Sequence, residues 1–452
     1  VAGAGLHDNV WRDESALINI AYAFLICIFS MVLVWSVYNL PILAAGVRHL
    51  RRSKRKIGSK ILNAGILPTF SVIVPVKNEE KVIGRLLKAL SKLNYPKDKV
   101  EIIVVEDGST DKTVDICKKY AEENRNNIKI LHKPFSDGKP SALNYGIKHA
   151  NGEIIAFFDA DNVPEPDALL LACNYFEDPN VAAVQGRTLS INSEENMLTK
   201  FVAIEEAVWC EAYLRGKDVL NLFVHLRGSC QFIRRNVLEN LGGFNEKALS
   251  EDMEFSAKLT EKDYKVRYAP EVRSWQETPS SLSQLFKQRT RWFRGTMHVA
   301  FKYGRLMAKL NMKSLDAEAT LFGPFILIAS LTGYLIAVYG MFAPLFMNAF
   351  WQTVMQLAAL STTATLLLCG LALTYVSKPR KASNLLWLPF IYFYWSLQAF
   401  IALYAALLIL MRRPLKWTKT QKTGAIGVRA FSALQKSLLE GERAGNLLWE
   451  GK

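Results

Sequence analysis

The sequence predicts an α/β domain built on a parallel sheet and inserted between α-helical transmembrane segments. Short β-branched runs alternate with helical stretches from Phe70 onward, the pattern of a parallel sheet covered by helices on both faces. Three segments, residues 16–47, 319–377 and 382–411, contain no charged residue, and about 20 apolar residues are enough for one bilayer span. Between them, roughly from 57 to 318, lies charged globular sequence, enough in a chain of 452 residues for one large domain.

The elements follow in order. Residues 1–15 are expected outside the cytoplasm and 16–47 form the first transmembrane helix. This segment is too long for a signal peptide and carries its basic flank on the C-terminal side, so it is expected to remain as an anchor. Asp8, Arg12, Asp13 and Glu14 precede it, and Arg48, Arg51, Arg52, Lys54, Arg55, Lys56 and Lys60 follow it. Positive flanks stay cytoplasmic, which makes 48–66 a basic cytoplasmic linker and 67–280 a cytosolic domain. Strands are predicted at 70–76, 100–105, 128–132, 154–159 and 181–186. Helices are predicted at 79–93, 110–123 (capped by Ser109 and Asp111), 141–150 and 194–214. In sheets of this kind ligands bind beyond the carboxyl ends of the strands.

Residues 281–310 are amphipathic. Leu285, Phe286, Trp292, Phe293, Met297, Phe301 and Leu306 alternate with Lys287, Arg289, Arg291, Arg294, Lys302 and Arg305, a composition that suits the membrane interface over 281–318. Residues 319–411 resolve into about three spans, near 319–341, 351–375 and 385–411. Three spans place Arg412, Arg413 and the rest of the basic tail, 412–452, on the outer side, against the charge rule. Either one segment is re-entrant or interfacial, or a further short span lies in this region.

The formal net charge of +15 is concentrated beside the apolar segments. It reads as anchoring and attraction to anionic lipid head groups rather than nucleic-acid binding, for which no motif is present. Cys27, Cys117, Cys173, Cys210, Cys230 and Cys369 form no C-x-x-C pair, disulfide framework or zinc spacing. A transporter is disfavoured because the apolar segments hold no charge.

Four polar clusters fall where strands end or helices begin. Glu106-Asp107-Gly108-Ser109 closes the second strand, with a carboxylate placed to accept hydrogen bonds from a base or ribose, or simply to cap a helix. Asp159-Ala160-Asp161 closes the fourth. Carboxylates two apart on an extended chain share a face, repel one another and call for a hard divalent cation, Mg²⁺ or Mn²⁺. Glu251-Asp252 follows a Gly242-Gly243 turn; it is a candidate general base or another helix cap. Gln288, Arg291 and Trp292 share one face of the amphipathic helix, as a leaving-group clamp and sugar platform or as an interfacial stripe.

Together these motifs, D-G-S-x-D, D-A-D, E-D and Q-x-x-R-W before apolar spans, resemble the processive family-2 glycosyltransferases. That group includes cellulose, chitin, hyaluronan and poly-N-acetylglucosamine synthases, with ceramide glucosyltransferase related. The resemblance covers about 70–295. It implies a GT-A, Rossmann-like nucleotide-binding fold and inverting transfer from a nucleotide sugar to a polysaccharide or a lipid. It also implies roles for single residues: Glu79 and Asp107 near the uridine, Lys139 near the diphosphate, Asp159 on the nucleotide and Asp161 on the metal. Asp252 corresponds to the catalytic base. Gln288, Arg291 and Trp292 correspond to the donor- and acceptor-binding signature, and Gly228, Ser229, Cys230 and Glu251 to the acceptor site. The expected partners are the donor, the acceptor and membrane lipids; auxiliary subunits stay open. The competing class, a non-enzymatic nucleotide sensor or scaffold, would tolerate loss of carboxylates that are all present here.

Overall fold

Strands β1 (Phe70–Val76), β2 (Val100–Glu106) and β4 (Ile154–Phe157) are buried on both faces and largely apolar, as central parallel strands must be, and β3 (Ile128–His132), at the sheet edge, buries only Ile128. The structure, a computed structural model, describes residues 4–53, 67–123, 127–133, 135–342, 382–414, 420 and 422–424, with scattered positions between 349 and 368. The sheet is completed by β5 (Val163–Pro164), β6 (Val181–Ser190), β7 (Gln231–Arg234) and β8 (Lys265–Gln276), in the order β3-β2-β1-β4-β7-β6-β8-β5.

The helices are α1 (Ala4–Ser53), α2 (Ile83–Ser91), α3 (Thr113–Glu123), α4 (Lys139–Lys148), α5 (Ala168–Cys173), α6 (Met197–Val208) and α7 (Arg215–Val219). They continue with α8 (Arg235–Asn240), α9 (Glu251–Glu261), α10 (Leu282–Tyr303), α11 (Met312–Leu321), α12 (Gly323–Phe342) and α13 (Leu388–Leu410). On one face of the sheet Val72, Val74, Ile102 and Val104 pack against Ile83, Leu86, Leu87 and Leu90 of α2. On the other, Ile73, Ile103, Val105 and Phe157 pack against Ala142 and Leu143 of α4.

The sheet is mixed, which corrects the expectation of a parallel one. β7 pairs antiparallel with both β4 and β6, and β5 antiparallel with β8. A helical crossover between neighbouring strands imposes parallel pairing. The long excursion from β4 to β7 imposes none, so the chain returns beside β4 in the opposite sense. Strands β7 and β8 lie outside the predicted set. β7 is only four residues long, and β8 carries Lys265, Arg267, Glu271 and Arg273 among its apolar positions.

Several helix boundaries move for local reasons. The helix predicted from Glu79 begins at Ile83, because Asn78 takes a left-handed φ of 53° and its Oδ1 accepts the Thr110 N–H at 2.7 Å. α3 starts at Thr113, whose N–H donates to Asp111 Oδ1 at 3.0 Å. The predicted 194–214 helix is capped at Asn196, which accepts from Thr199 N–H at 3.0 Å, and passes into a π turn at Trp209–Leu214.

Helix α1 continues past the predicted boundary to Ser53 and docks on the α/β domain. The approach is close enough to require glycine on both partners. A Cβ on Gly46 would meet Ala212 O at 1.8 Å, and one on Gly216 would meet Ile42 O at 2.0 Å. Beside this crossing, the fully buried Lys217 Nζ lies 2.8 Å from Asp316 Oδ1, which also accepts from Tyr38 Oη at 2.6 Å. Asp316 Oδ2 accepts the Phe223 N–H at 2.7 Å. One carboxylate thus ties α1, α7 and α11 together.

Among the described residues, two helical stretches, Ile26–Leu50 and Leu385–Leu410, are long and apolar enough to cross a bilayer. Met312–Leu321 and Gly323–Leu335, bent by 55°, make a third if taken as one broken span. The predicted span at 351–375 lies largely outside the described residues, as do the turn at 344–348 and most of the linker at 48–66.

Asp316→Ala leaves the Lys217 ammonium buried without its carboxylate, with only Thr320 Oγ1 among the described residues left to accept from it. The expected loss is about 3–5 kcal/mol, read as a lower midpoint in thermal or denaturant unfolding of the purified protein. A change below about 1 kcal/mol would show that Asp316 is not the tie described.

Candidate active site

Lys139 is the first residue of α4, set there by Gly138 in a left-handed conformation (φ 92°) and Pro140 in the first turn. Its Nζ lies 2.7 Å from Asp159 Oδ1 and 3.3 Å from Glu251 Oε1, and donates to Gly228 O at 3.2 Å. One ammonium therefore joins the end of β4, the start of α9 and the turn before β7. The turn is tight. A Cβ on Gly228 (φ 78°) would lie 3.1 Å from Asp252 Oδ2 and 3.2 Å from Lys139 Nζ. Ser229 Oγ accepts the Asp159 N–H at 3.0 Å and fixes the strand end.

Burial raises the pKa of Asp252 to about 7, with Glu251 adding repulsion while Lys139 and Arg291 pull it back. Burial likewise raises Asp159, against the attraction of Lys139. Burial works against the charge on Lys139 and is outweighed by Asp159 and Glu251, so its pKa is raised. The result is a carboxyl that changes protonation near neutrality beside a permanently charged lysine, an arrangement suited to general-base work.

Asp161 faces a second cation. Its Oδ2 lies 2.6 Å from Lys422 Nζ and accepts the Glu277 N–H at 3.3 Å. Lys422 also donates to Glu277 O at 2.8 Å, and Glu277 Oε2 accepts the Thr423 N–H at 3.0 Å. Glu277 is held in turn by Arg85 at 2.9 Å. Burial works against the charge on Lys422, but Asp161, Glu277 and Glu79 outweigh it and raise its pKa. The chain reaches this point after Arg294 of α10 has pinned the Arg413 and Pro414 carbonyls. Asp159 and Asp161 are the hard oxygen donors that suit Mg²⁺ or Mn²⁺. Among the described residues no three His, Cys, Asp or Glu side chains converge on one point, so such an ion would need further oxygens from a ligand or water.

Asp107 lies at the same rim of the sheet, one residue past β2. Its Oδ2 accepts from Ser136 Oγ at 2.8 Å, while Oδ1, 3.5 Å from Lys133 Nζ, is buried with no hydrogen-bond partner among the described residues. Glu79 sits in the loop after β1, its N–H donating to Thr113 Oγ1 at 2.7 Å.

On α10, Arg291 is directed at the acid cluster. Burial lowers its pKa, against Glu251, Asp252 and Asp159. Trp292 carries the Arg289 guanidinium 4.5 Å from its ring centroid, and Arg289 pairs with Glu205 at 2.6 Å. Glu205 also accepts from Tyr394 Oη at 2.9 Å, which ties this helix to α13. Gln288 is half-buried on α10. Gly295 lets the helix approach the loop before α9: a Cβ there would lie 2.0 Å from Ser250 Oγ.

The structure thus gathers Lys139, Asp159, Gly228, Ser229, Glu251, Asp252 and Arg291 around one cleft, with Asp161 on its rim. The Cys230 side chain turns away into the core, its Sγ 3.9 Å from Val272 O. Lys422 was not anticipated. It lies in a tail with no periodic pattern, and only the path of the chain brings it to Asp161.

Comparison with known proteins bears on family and fold. The family described as "Glycosyltransferase like family 2" matches residues 68–295. The probable glycosyltransferase YdaM of Bacillus subtilis (strain 168) is 35% identical over 289 residues, 63% of this chain and 69% of the relative. The beta-monoglucosyldiacylglycerol synthase of Nostoc sp. (strain PCC 7120) is 32% identical over 309 residues, 67% of this chain and 63% of the relative. The poly-beta-1,6-N-acetyl-D-glucosamine synthase of Staphylococcus epidermidis is 28% identical over 269 residues, 59% of this chain and 63% of the relative. The chain thus spans about two thirds of the length of these relatives. Among solved structures, a mannosyltransferase from Pyrobaculum calidifontis in complex with GDP-Man and Mn2+ superposes with a TM-score of 0.54 at 23% identity, over 86% of this chain and 100% of that one. It shares the fold.

A reaction that uses Asp252 as its base requires the ionised carboxylate. With its pKa raised to about 7, kcat/KM falls about tenfold per pH unit below that point and levels off above it. The pH–rate profile of purified protein checks this; a profile with no inflection across about pH 5–8 would contradict the assignment.

Proposed function

The chain belongs to the glycosyltransferase-like family 2, and on that premise we propose that it transfers a hexose from a UDP-sugar to a growing β-linked polysaccharide at the cytosolic face of a membrane. The observation that carries this reading is the single lysine, Lys139, joining the Asp159 side of the cleft to the Glu251-Asp252 side. Donor and acceptor chemistry then share one pocket.

Asp107 and Glu79 receive the nucleoside, with the open Oδ1 of Asp107 as a hydrogen-bond acceptor for it. The diphosphate lies between Lys139, Arg291 and Asp161. A Mg²⁺ or Mn²⁺ ion held by Asp161, with Asp159 beside it, would neutralise charge developing on the leaving diphosphate. Lys422 supplies a positive charge at the same carboxylate. Asp252 takes the proton of the acceptor hydroxyl as that oxygen attacks the anomeric carbon. The new C1–O bond forms opposite the breaking C1–O(phosphate) bond, the nucleoside diphosphate departs, and the configuration inverts. Trp292 provides a platform for a sugar ring, and Gln288 a hydrogen-bonding edge on the same helix.

Membrane placement rests on the apolar helices Ile26–Leu50 and Leu385–Leu410 and on the basic flank after the first. A second reading, transfer to a lipid hydroxyl, is favoured by one observation. The beta-monoglucosyldiacylglycerol synthase is 32% identical and the poly-beta-1,6-N-acetyl-D-glucosamine synthase 28%.

The test is a donor panel. Full-length protein in detergent or nanodiscs receives UDP- and GDP-sugars with Mn²⁺ or Mg²⁺, nucleotide release is followed, and products are digested with linkage-specific glycosidases. One UDP-sugar yielding a β-linked polymer is expected; product found only on added diacylglycerol would move the assignment to the second reading. Asp161→Ala is expected to abolish metal-dependent donor binding, and Asp252→Asn to retain donor binding while stopping transfer. Metal-dependent donor binding that survives Asp161→Ala overturns the metal assignment.

A further inference from the structure

We infer that Glu206 and Arg227 form an acceptor subsite that binds the hydroxyl groups of a saccharide beside the reacting centre. The inference rests on the glycosyl-transfer reading and narrows it to one acceptor class.

Glu206 lies on α6 and is buried, with 6% of its surface exposed. Its Oε1 is 3.7 Å from Arg227 Nη2, longer than a closed carboxylate–guanidinium hydrogen bond. Its Oε2 is buried with no hydrogen-bond partner among the described residues. The neighbouring buried acid behaves differently. Glu211, one turn on, holds Arg187 and Arg215 at 2.5 Å each, one on each oxygen. Glu211 is a closed structural tie, whereas Glu206 is built in the same region and left open. A buried carboxylate oxygen without a donor is unfavourable, and such uncompensated groups mark places that a ligand completes.

The position of the pair relates it to the chemistry. Arg227 directly precedes Gly228, the residue packed against Asp252 and Lys139. Its Nη1 donates to Thr188 Oγ1 at 3.3 Å and Cys210 Sγ at 3.0 Å, and its N–H to Gln185 Oε1 at 2.8 Å, so the fork is fixed with Nη2 toward Glu206. Burial raises the pKa of Glu206, while Arg227, Arg289 and Lys422 all act on it in the opposite direction. Through Arg227 it stands beside the loop that carries Gly228 against Asp252 and Lys139.

The chemistry selects the ligand. A carboxylate beside a guanidinium offers an acceptor and a donor a few ångströms apart, which adjacent sugar hydroxyls answer with a donor and an acceptor. A diacylglycerol has one hydroxyl, consumed at Asp252, and would bring acyl chain against two buried charged groups.

Full-length protein in nanodiscs is assayed with the donor the panel identifies, and with β-1,6-linked N-acetylglucosamine pentasaccharide, cellopentaose or diacylglycerol as acceptor. Glu206→Gln is expected to raise the KM of the active oligosaccharide about tenfold while donor KM stays within about twofold. Glu206→Asp, which keeps the charge but withdraws it, is expected to do the same with an unaltered melting temperature. Oligosaccharide binding by calorimetry, without turnover, is expected to weaken in parallel. Unchanged acceptor KM and binding in Glu206→Asp, or transfer to diacylglycerol alone, overturns the subsite and leaves the donor chemistry intact. Failure of the wild type to release nucleotide from any donor would instead sink the glycosyl-transfer reading.

Discussion

The ammonium of Lys139 is the contact on which the site depends. It sits where the parallel half of the sheet, β3-β2-β1-β4, meets the half that begins with β7. The parallel half contributes Asp159, and the segment after β7 contributes Glu251 and Asp252. Carboxylates this close together repel one another. Lys139 offsets that repulsion and holds the two halves in register, with Arg291 approaching from α10. The cost of gathering acids in a buried cleft shows in Asp252, whose pKa burial moves to about 7. The same shift suits a base that must be ionised yet able to accept a proton.

The remainder of the molecule places this contact beside apolar helices. Gly295 lets α10 lie against Ser250, so Arg291 reaches the acids. The face of α10 that bears Arg289 and Trp292 is tied through Glu205 to Tyr394 of α13. On the other side, Asp316 ties α1 to the catalytic domain through Lys217 and Tyr38. Among the described residues, chemistry and candidate spans are thus connected by buried polar ties. The tail then returns from the end of α13, pinned by Arg294, to lay Lys422 on Asp161.

What could be read from the chain follows its physical periodicity. β1, β2 and β4 were legible because strands buried on both faces are largely apolar, and the carboxyl ends of β2 and β4 pointed to Asp107, Asp159 and Asp161. The Glu251-Asp252 and Gln288-Arg291-Trp292 clusters were legible as acids at a helix start and as one face of an amphipathic helix. β8 was not, since its alternating charges resemble a loop until β6 is beside it. The reversal of β7 was invisible because pairing direction across a long excursion has no local signal. Lys422 and Glu206 were missed for a related reason. Each matters through a neighbour more than a hundred or only some twenty residues away, Asp161 or Arg227, and no spacing rule links them.

A structure of the full-length protein with a non-hydrolysable UDP-sugar and Mn²⁺ tests the central claim most directly. The account predicts the diphosphate between Lys139 and Asp161, the manganese signal on Asp161, and the anomeric carbon facing a space that Asp252 borders. A nucleotide bound elsewhere, with Lys139 still bridging Asp159 and Glu251 and no ion at Asp161, would contradict it.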